Sequence, residues 1–382
     1  MKKRILFVLP SFGIGGTTVS TRNLIAVLDN QHYEATVWAL SDFGILQGMY
    51  DGVNKVKTCF AAQAMAMAGW KDESDWIKRL AVAFLRFLRN HSHKAERFLI
   101  RHSIKKCIGN RQFDTVVACQ EGFTTLFASY IDAPNKLAWV RCDYKEYIKT
   151  HHNQKEGFYS KFNNIVCVAE QTTRNFKEIY PEFADKTFCI YNPQDSELIR
   201  KQALDNDHDP RFVADKPVIL SVGRLSKVKR FVEIPRIARE LMAQDIDFRW
   251  FVIGDGEEKN AIQKAIDDNK VNDTVILLGA KSNPHFYISK AYLYVCLSST
   301  EACPRVINEA KILGTPVVST DFGTVYEYIS SDVNGLICPI GKITDEIERM
   351  LTDKNLYCRI IENIKSFEFD NREIIEKLET IF

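Results

Sequence analysis

The chain has no run approaching the ~18 consecutive apolar residues that a membrane-spanning helix needs, so any membrane association expected of it is peripheral. It also has almost no net charge: 51 Lys and Arg stand against 49 Asp and Glu, leaving +2. So even a balance selects no partner, and electrostatic arguments have to be local. None of its ten cysteines forms a C-x-x-C pair, and several fall inside apolar runs such as VVAC and IVCV. This spacing excludes a zinc ribbon or a disulfide framework and fits buried thiols in a reducing compartment. Cys303 beside an expected helix start is a candidate activated thiol, but no histidine stands near it in the sequence. G-x-G-x-x-G is missing too, since Gly13, Gly15 and Gly16 are spaced otherwise. That argues against a nicotinamide-dependent oxidoreductase, although Asp42 after the second apolar run could mimic a ribose-binding acid. The opening MKKRILFVLP starts like a signal peptide, but its apolar run ends at Pro10, so a first β-strand is expected.

What is there is alternation, repeated twice. At 382 residues the chain suits two domains of ordinary size. RILFVLP, a glycine turn and the helix TTVSTRNLIAVL, with Thr17 or Thr18 as its expected N-cap, open the first half. FDTVVAC, NKLAWVR and NNIVCVA follow as further strands. KPVILSVGRL restarts the same layout, continued by FRWFVIGDGEE, TVILLGAKSNP and NGLICP. A closing amphipathic helix is expected over 371–381. Residues after such strands face the ligand crevice of a doubly wound sheet. They include Gln120, Glu121 and Gly122, then Arg141, Cys142, Asp143 and Tyr144, then Gly223, Arg224 and Lys229. Two cations just past a strand suit a diphosphate, Arg by its fork and Lys as a point charge; a solvated basic turn is the plainer alternative. His151 and His152 read as bystanders in a polar loop. Asp205, Asp207 and Asp209 form D-x-D patterns in a helix-breaking segment, and Asp245 and Asp247 precede a strand, so neither set stands where a metal-binding pair belongs.

Ala291 to Thr320 holds the sharpest pattern: an apolar strand, a polar turn, a short helix and a second apolar strand. Glu301 and Glu309 stand eight positions apart, with Pro304 between them where proline is preorganised for a first helical position. The backbone N–H groups of Arg305 and Val306 are then expected free at the positive end of the helix, ready for a phosphate. Glu309 lies roughly 7 Å further along the axis. One carboxylate could reach a sugar on one side of a diphosphate and the other a ribose on the far side. The spacing equally fits a capping Glu301 and an ordinary exposed Glu309.

Glu301, seven residues, Glu309, Ala310 and then the strand from Gly314 to Val318 together resemble the signature region of the retaining family 4 glycosyltransferases of the GT-B fold. QEG followed by AWVRCDY resembles that family's bacterial capsular and exopolysaccharide members. The resemblance implies an α/β protein of two Rossmann-like doubly wound parallel-sheet domains facing across a cleft. Residues 1–195 would bind the acceptor, 196–215 link, 216–365 bind the nucleotide-sugar, and 366–382 form a helix crossing back to the first domain. It implies a hexosyltransferase that moves a sugar, with retention, from a nucleotide-diphosphate donor. A UDP-sugar is favoured, with a GDP-sugar as alternative. The acceptor would be a glycan, expected lipid-linked, in surface polysaccharide biosynthesis. Neither metal nor cofactor is implied, and the setting would be cytoplasmic, at the inner face of the cell membrane.

By the same resemblance Glu301 is the catalytic carboxylate. Gly15, Gly16, Arg224, Lys229, Arg305 and Val306 would hold the donor diphosphate, and Glu309 the ribose. Gly254, Asp255, Gly256, Ala280 and Lys281 would line the nucleoside pocket, with Glu121, Arg141 and Asp143 on the acceptor side. Two positions depart from the family. Arg230 replaces the glycine that follows the lysine, and Arg141 stands where polysaccharide members often have histidine, so it is expected to bind an anion. A sugar-nucleotide epimerase of the same fold and a catalytically silent nucleotide or glycan binder are the alternatives.

One stretch stands apart. Between Trp76 and Lys106, nine Lys and Arg face a single acid, Glu96. Ile77, Leu80, Phe84 and Phe87/Leu88 recur at helical spacing, while Arg79, Arg86 and Arg89 share another face. Such a helix lies in a membrane interface or packs, solvated, on its own domain, and the pattern leaves both open. No nucleic-acid module is recognisable, so nucleic acid is not an expected partner.

Overall fold

Runs such as Ile5 to Leu9 carry apolar side chains on both faces, which suits a strand covered by helices on either side. A computed structural model of the chain describes residues 1–13, 15–42, 44, 46–66, 76–150, 156–205 and 209–382; His151, His152 and Asp207 lie outside the described residues. The chain divides into two units, Met1–Pro193 with Asn371–Phe382, and Gln194–Asp370.

In unit 1 the strands are Lys3–Ser11 (β1), Tyr33–Ser41 (β2), Asn54–Lys55 (β3), Thr115–Ala118 (β4), Asn135–Val140 (β5), Asn164–Cys167 (β6) and Thr187–Cys189 (β7). In unit 2 they are Val218–Val222 (β8), Arg249–Ile253 (β9), Val275–Gly279 (β10), Leu293–Cys296 (β11), Val317–Thr320 (β12) and Leu336–Cys338 (β13). The sheet orders are β3-β2-β1-β4-β5-β6-β7 and β10-β9-β8-β11-β12-β13. Every pairing is parallel; Val8 sits between Trp38 and Ala118, and Leu220 between Phe251 and Tyr294. Each unit is thus a doubly wound sheet with its own core, built around Trp38 and Phe127 in the first and Ile219 and Trp250 in the second. Strand order reverses between β1 and β4, and again between β8 and β11. Open α/β sheets bind ligands past the carboxyl ends of the strands at such a reversal.

Two local expectations change. Thr17 and Thr18 lie inside the helix Gly16–Val27, whose N-cap is Gly15. Their hydroxyls act as donors instead, Thr18 Oγ1 to Gly13 O at 2.9 Å and Thr17 Oγ1 to Gln120 Oε1 at 3.3 Å. The second bond ties the ends of β1 and β4 together at the reversal. Ser196–Ala203, expected as the start of the 196–215 linker, form a helix of unit 2, because Asp195 accepts from Leu198 N at 2.9 Å and caps it.

The helix Arg372–Ile381 belongs to unit 1. Asn135 Nδ2 donates to Ile381 O at 2.7 Å, Lys3 Nζ to Phe382 O at 3.1 Å, and the Phe382 ring meets Phe7 edge-on at 6.2 Å.

Candidate active site

The residues that end β8 and β11 meet at the reversal in unit 2. Past β8 the chain runs through Gly223 and Arg224 into a short 3-10 turn, Lys227–Lys229. A Cβ on Gly223 would stand 3.2 Å from Lys229 Cε, so the glycine gives the lysine stem room to lie back over the strand end. Lys229 Nζ then pairs with Glu301 Oε1, which also accepts from Ser298 Oγ at 2.7 Å. Burial works to lower the Lys229 pKa, but the charge and hydrogen bond of Glu301 and the charge of Cys296 together outweigh it, and the net shift is upward. Thr324 Oγ1 donates to Glu301 O at 2.7 Å and Ser299 N to Val228 O at 2.8 Å, fixing the turn that carries the carboxylate. Glu301 Oε2 has no hydrogen-bond partner among the described residues. Arg224 is exposed, and its side chain has no hydrogen-bond or ion-pair partner among them either.

Arg230 takes the left-handed conformation, φ 52° and ψ 28°. Glycine reaches that region without steric penalty, which is the physical reason for the family's glycine there.

Pro304 is the N-cap of the helix Arg305–Ile312, at φ −76° and ψ 71°. Those angles are an inverse γ-turn, and they bring Arg305 N to Cys303 O at 2.8 Å. The expectation of two free amides is corrected accordingly. Arg305 N–H is satisfied inside the chain, and Val306 N–H alone of the pair lacks an acceptor among the described residues.

Glu309 is no ordinary helix residue, being only 2% exposed. Arg305 Nη2 donates to its Oε1 at 2.5 Å, and His285 Nε2 stands 3.7 Å from its Oε2. Burial alone would raise this carboxyl, but Arg305 and then His285 bring it down to about 2. Around it, Arg305 Nε and both His285 ring nitrogens are buried without a hydrogen-bond partner among the described residues. Buried polar atoms are rarely left so, and strongly perturbed groups cluster at functional sites. His285 is the residue sequence reasoning missed. It lies on a different helix, His285–Lys290, and only tertiary structure carries it to Glu309. Burial, then the charges of Cys296, Glu301 and Glu309, keep the Tyr294 phenol protonated well above its ordinary range.

The nucleoside-side residues have mixed surroundings. A Cβ on Gly254 would stand 1.8 Å from Gly223 O, and one on Gly256 2.3 Å from Leu225 O. Those glycines are required by the close approach of two strand-end turns. Lys281 Nζ is held by Asp209 Oδ2 at 2.8 Å, and Asp209 also pairs with Arg211. Asp209 therefore serves an ion network; Asp255 is exposed, 4.0 Å from Lys259 Nζ. Ala280 directly follows β10.

In unit 1, among the described residues, nothing beyond its own chain neighbours and helix backbone lies within 4 Å of a Cβ placed on Gly15 or Gly16, so packing does not demand glycine there. Arg141 has protein acceptors where an anion was expected. Its Nε donates to Cys119 O at 2.7 Å, and its Nη1 donates to Ser20 Oγ at 2.7 Å and to Asn192 Oδ1. It braces the ends of β4 and β5 against the first helix. Glu121 Oε2 accepts from Arg141 N at 2.8 Å, and Asp143 Oδ1 from Asn175 Nδ2 at 3.1 Å.

Comparison with known proteins bears on both units. Residues 204–367 match the family model of glycosyl transferases group 1. An uncharacterised glycosyltransferase of Methanocaldococcus jannaschii is 28% identical over 230 residues, 56% of this chain and 52% of that protein. The N-acetylgalactosamine-N,N'-diacetylbacillosaminyl-diphospho-undecaprenol 4-alpha-N-acetylgalactosaminyltransferase of Campylobacter jejuni is 28% identical over 191 residues, 49% of each chain. The chain thus spans about half the length of these curated relatives. Among solved structures, Anabaena HepE in complex with UDP and glucose superposes with a TM-score of 0.72 at 18% identity, covering 98% of both chains. At that identity the likeness shows the fold alone, and that fold is GT-B.

Proposed function

We propose that this chain, a GT-B protein whose residues 204–367 belong to the group 1 glycosyl transferases, moves a hexose from a nucleoside diphosphate to a glycan acceptor. The observation that carries this is an exposed Arg224, its guanidinium unpaired among the described residues, close to the half-buried Lys229–Glu301 pair at the strand-order reversal of unit 2. In this reading the donor diphosphate takes Arg224 and the Val306 amide and shares Lys229 with Glu301. Drawing Lys229 toward phosphate releases Glu301 Oε1, so that the carboxylate faces the sugar and steadies positive charge developing at its anomeric carbon. Glu309 and His285 receive the ribose hydroxyls. The acceptor attacks from the face the diphosphate leaves, which retains configuration, and the departing phosphate takes the acceptor proton. UDP is the favoured nucleotide and a lipid-linked glycan the favoured acceptor in surface polysaccharide biosynthesis. Solved HepE carries UDP, and the C. jejuni relative is named for a diphospho-undecaprenol substrate.

Thermal stabilisation by UDP, GDP, CMP, ADP and NAD, each in EDTA, tests the donor site. A nucleoside diphosphate at about 100 times its Kd adds roughly 2.7 kcal/mol, and Arg224→Ala is expected to remove most of that gain. A response to NAD alone, or to nothing, ends the transferase reading. Glu301→Gln keeps an acceptor for Ser298 but drops the charge that holds Lys229. It is expected to lower transfer on the order of a hundredfold or more while UDP stabilisation persists. Undiminished transfer would remove Glu301 from the chemistry.

A further inference from the structure

Three helices, Phe60–Ala66, Trp76–His91 and His93–Ile108, lie between β3 and β4 in the chain and pack on one another. Arginines of the second brace the first: Arg86 Nε donates to Ala64 O at 3.1 Å and Arg89 Nη1 to Met65 O at 2.5 Å. The third helix meets the opposite end of the first. There Cys59, the residue before Phe60, packs with Cys107 in the core of unit 1. Each is 8% exposed, and both are free thiols.

The two residues face each other through two contacts. The Cys107 thiol is directed at Cys59 Sγ, and the Cys59 backbone N–H at Cys107 Sγ. With one contact made to the backbone itself, the Cα atoms come within the span a disulfide bridges. Ser103, one turn before Cys107, is fully buried; its Oγ faces Cys59 Sγ and has no other hydrogen-bond partner among the described residues. The Cys107 thiol first of all, and then the Ala62, Ser103 and Ala61 donors, hold the Cys59 pKa below the ordinary thiol value against the effect of burial. The Cys107 pKa is raised, by that same hydrogen bond and then by burial, so the proton between them stays with Cys107. Elsewhere burial dominates, and it pushes the Cys119 and Cys338 thiols up to about 12. A thiolate beside a second thiol is the arrangement of a peroxide-reactive cysteine with its resolving partner.

We propose that Cys59 and Cys107 are a reversible dithiol–disulfide site that hydrogen peroxide oxidises. The Cys59 thiolate attacks one peroxide oxygen; the S–O bond forms as the O–O bond breaks, and the departing hydroxide takes a proton from solvent and leaves as water. The Cys107 sulfur then attacks the sulfenic sulfur. The S–S bond forms as the S–O bond breaks, and the released hydroxide carries off the Cys107 proton as a second water. Exchange with an external dithiol restores both thiols. The bridge closes a loop that holds all three helices and ties the first to the third. It uses no residue of the proposed donor site, so it stands apart from the transferase reading.

Peroxide treatment of the whole chain, unfolding in an alkylating agent and tryptic mapping without reductant test it. Trypsin cuts after Lys57 and after Lys106, so the bridge appears as a Cys59 peptide joined to a Cys107 peptide, and dithiothreitol separates the two. The oxidised chain is expected to melt on the order of 5 °C higher than the reduced one. Cys107→Ser is expected to lose both signals and to stop at a sulfenic acid on Cys59, which dimedone labels. Should serine there prevent folding, Cys107→Ala must give the same label. Three outcomes overturn the proposal: both thiols fully alkylated after peroxide, Cys59 joined to another cysteine as readily as to Cys107, or dimedone on Cys107 in Cys59→Ser at the level expected of Cys59.

Discussion

Replacing Glu309 with alanine is expected to lower the unfolding free energy by about 3–5 kcal/mol. The loss comes less from the pair itself than from Arg305, whose guanidinium would stay buried without its carboxylate. The acid limb of the stability curve tests the same pair. Folded Glu309 titrates at about 2 against an ordinary 4.5, so between those values the unfolded chain binds more protons than the folded one. Stability therefore rises with pH across that window. The contribution, about 3 kcal/mol, is complete above the unfolded value and is lost as pH falls toward 2. Urea unfolding of Glu309→Ala at neutral pH, and of Glu309→Gln down the acid limb, gives the check. An alanine variant within about 1 kcal/mol of the unaltered chain would show that this pair is solvated.

Two positions along the same helix the slope keeps its sign but the cause differs, because there burial penalises a charge. Lys311 is 4% exposed, with Nζ donating to Tyr328 O at 2.7 Å and lying 4.3 Å from the Phe367 ring centroid. No carboxylate pairs with it among the described residues, and burial lowers its pKa from 10.5 to about 8. Below the lower value the folded state carries the full cost of a buried ammonium. As pH climbs from there to the unfolded value the folded chain has already released its proton, and stability is expected to rise by about 3 kcal/mol. Lys311→Met should lack that rise. Unfolding free energies of the two chains are compared as a difference across the alkaline range, so that buried cysteines and tyrosines, which titrate in the opposite sense, cancel. Parallel curves would contradict an uncompensated charge at this position.

These neighbours illustrate what the sequence could and could not say. Both sheets were legible, because strands buried on two faces must be apolar throughout and glycine turns punctuate them. The pairing of Glu301 with Lys229 was approached only through the family resemblance, which put both in one donor site, and the strand-order reversal that brings the ends of β8 and β11 together gives its physical reason. The environment of Glu309 was not legible. Its burial depends on Arg305 folding back one turn and on His285 arriving from another helix, and no local pattern encodes that arrival. Arg141 was read by its chemistry as an anion binder, but its acceptors Ser20 and Asn192 are remote in the chain. In the basic helix, periodicity gave two faces without telling which one the domain would claim. Arg86 and Arg89 found carbonyl acceptors at Ala64 and Met65, and that contact set the orientation.

The placement of Asn371–Phe382 in unit 1 also makes the two units unequal in topology. Unit 2 is a guest inserted into a host: one unbroken segment, with its whole core between its own ends. Unit 1 is assembled from both ends of the chain, and its last residues seal β1 through Phe7, Lys3 and Asn135. During synthesis the host must wait for its final helix while the guest, complete by Asp370, is free to fold. Protease cleavage near Pro193 would likewise leave the first sheet closed only as long as its two fragments stay together.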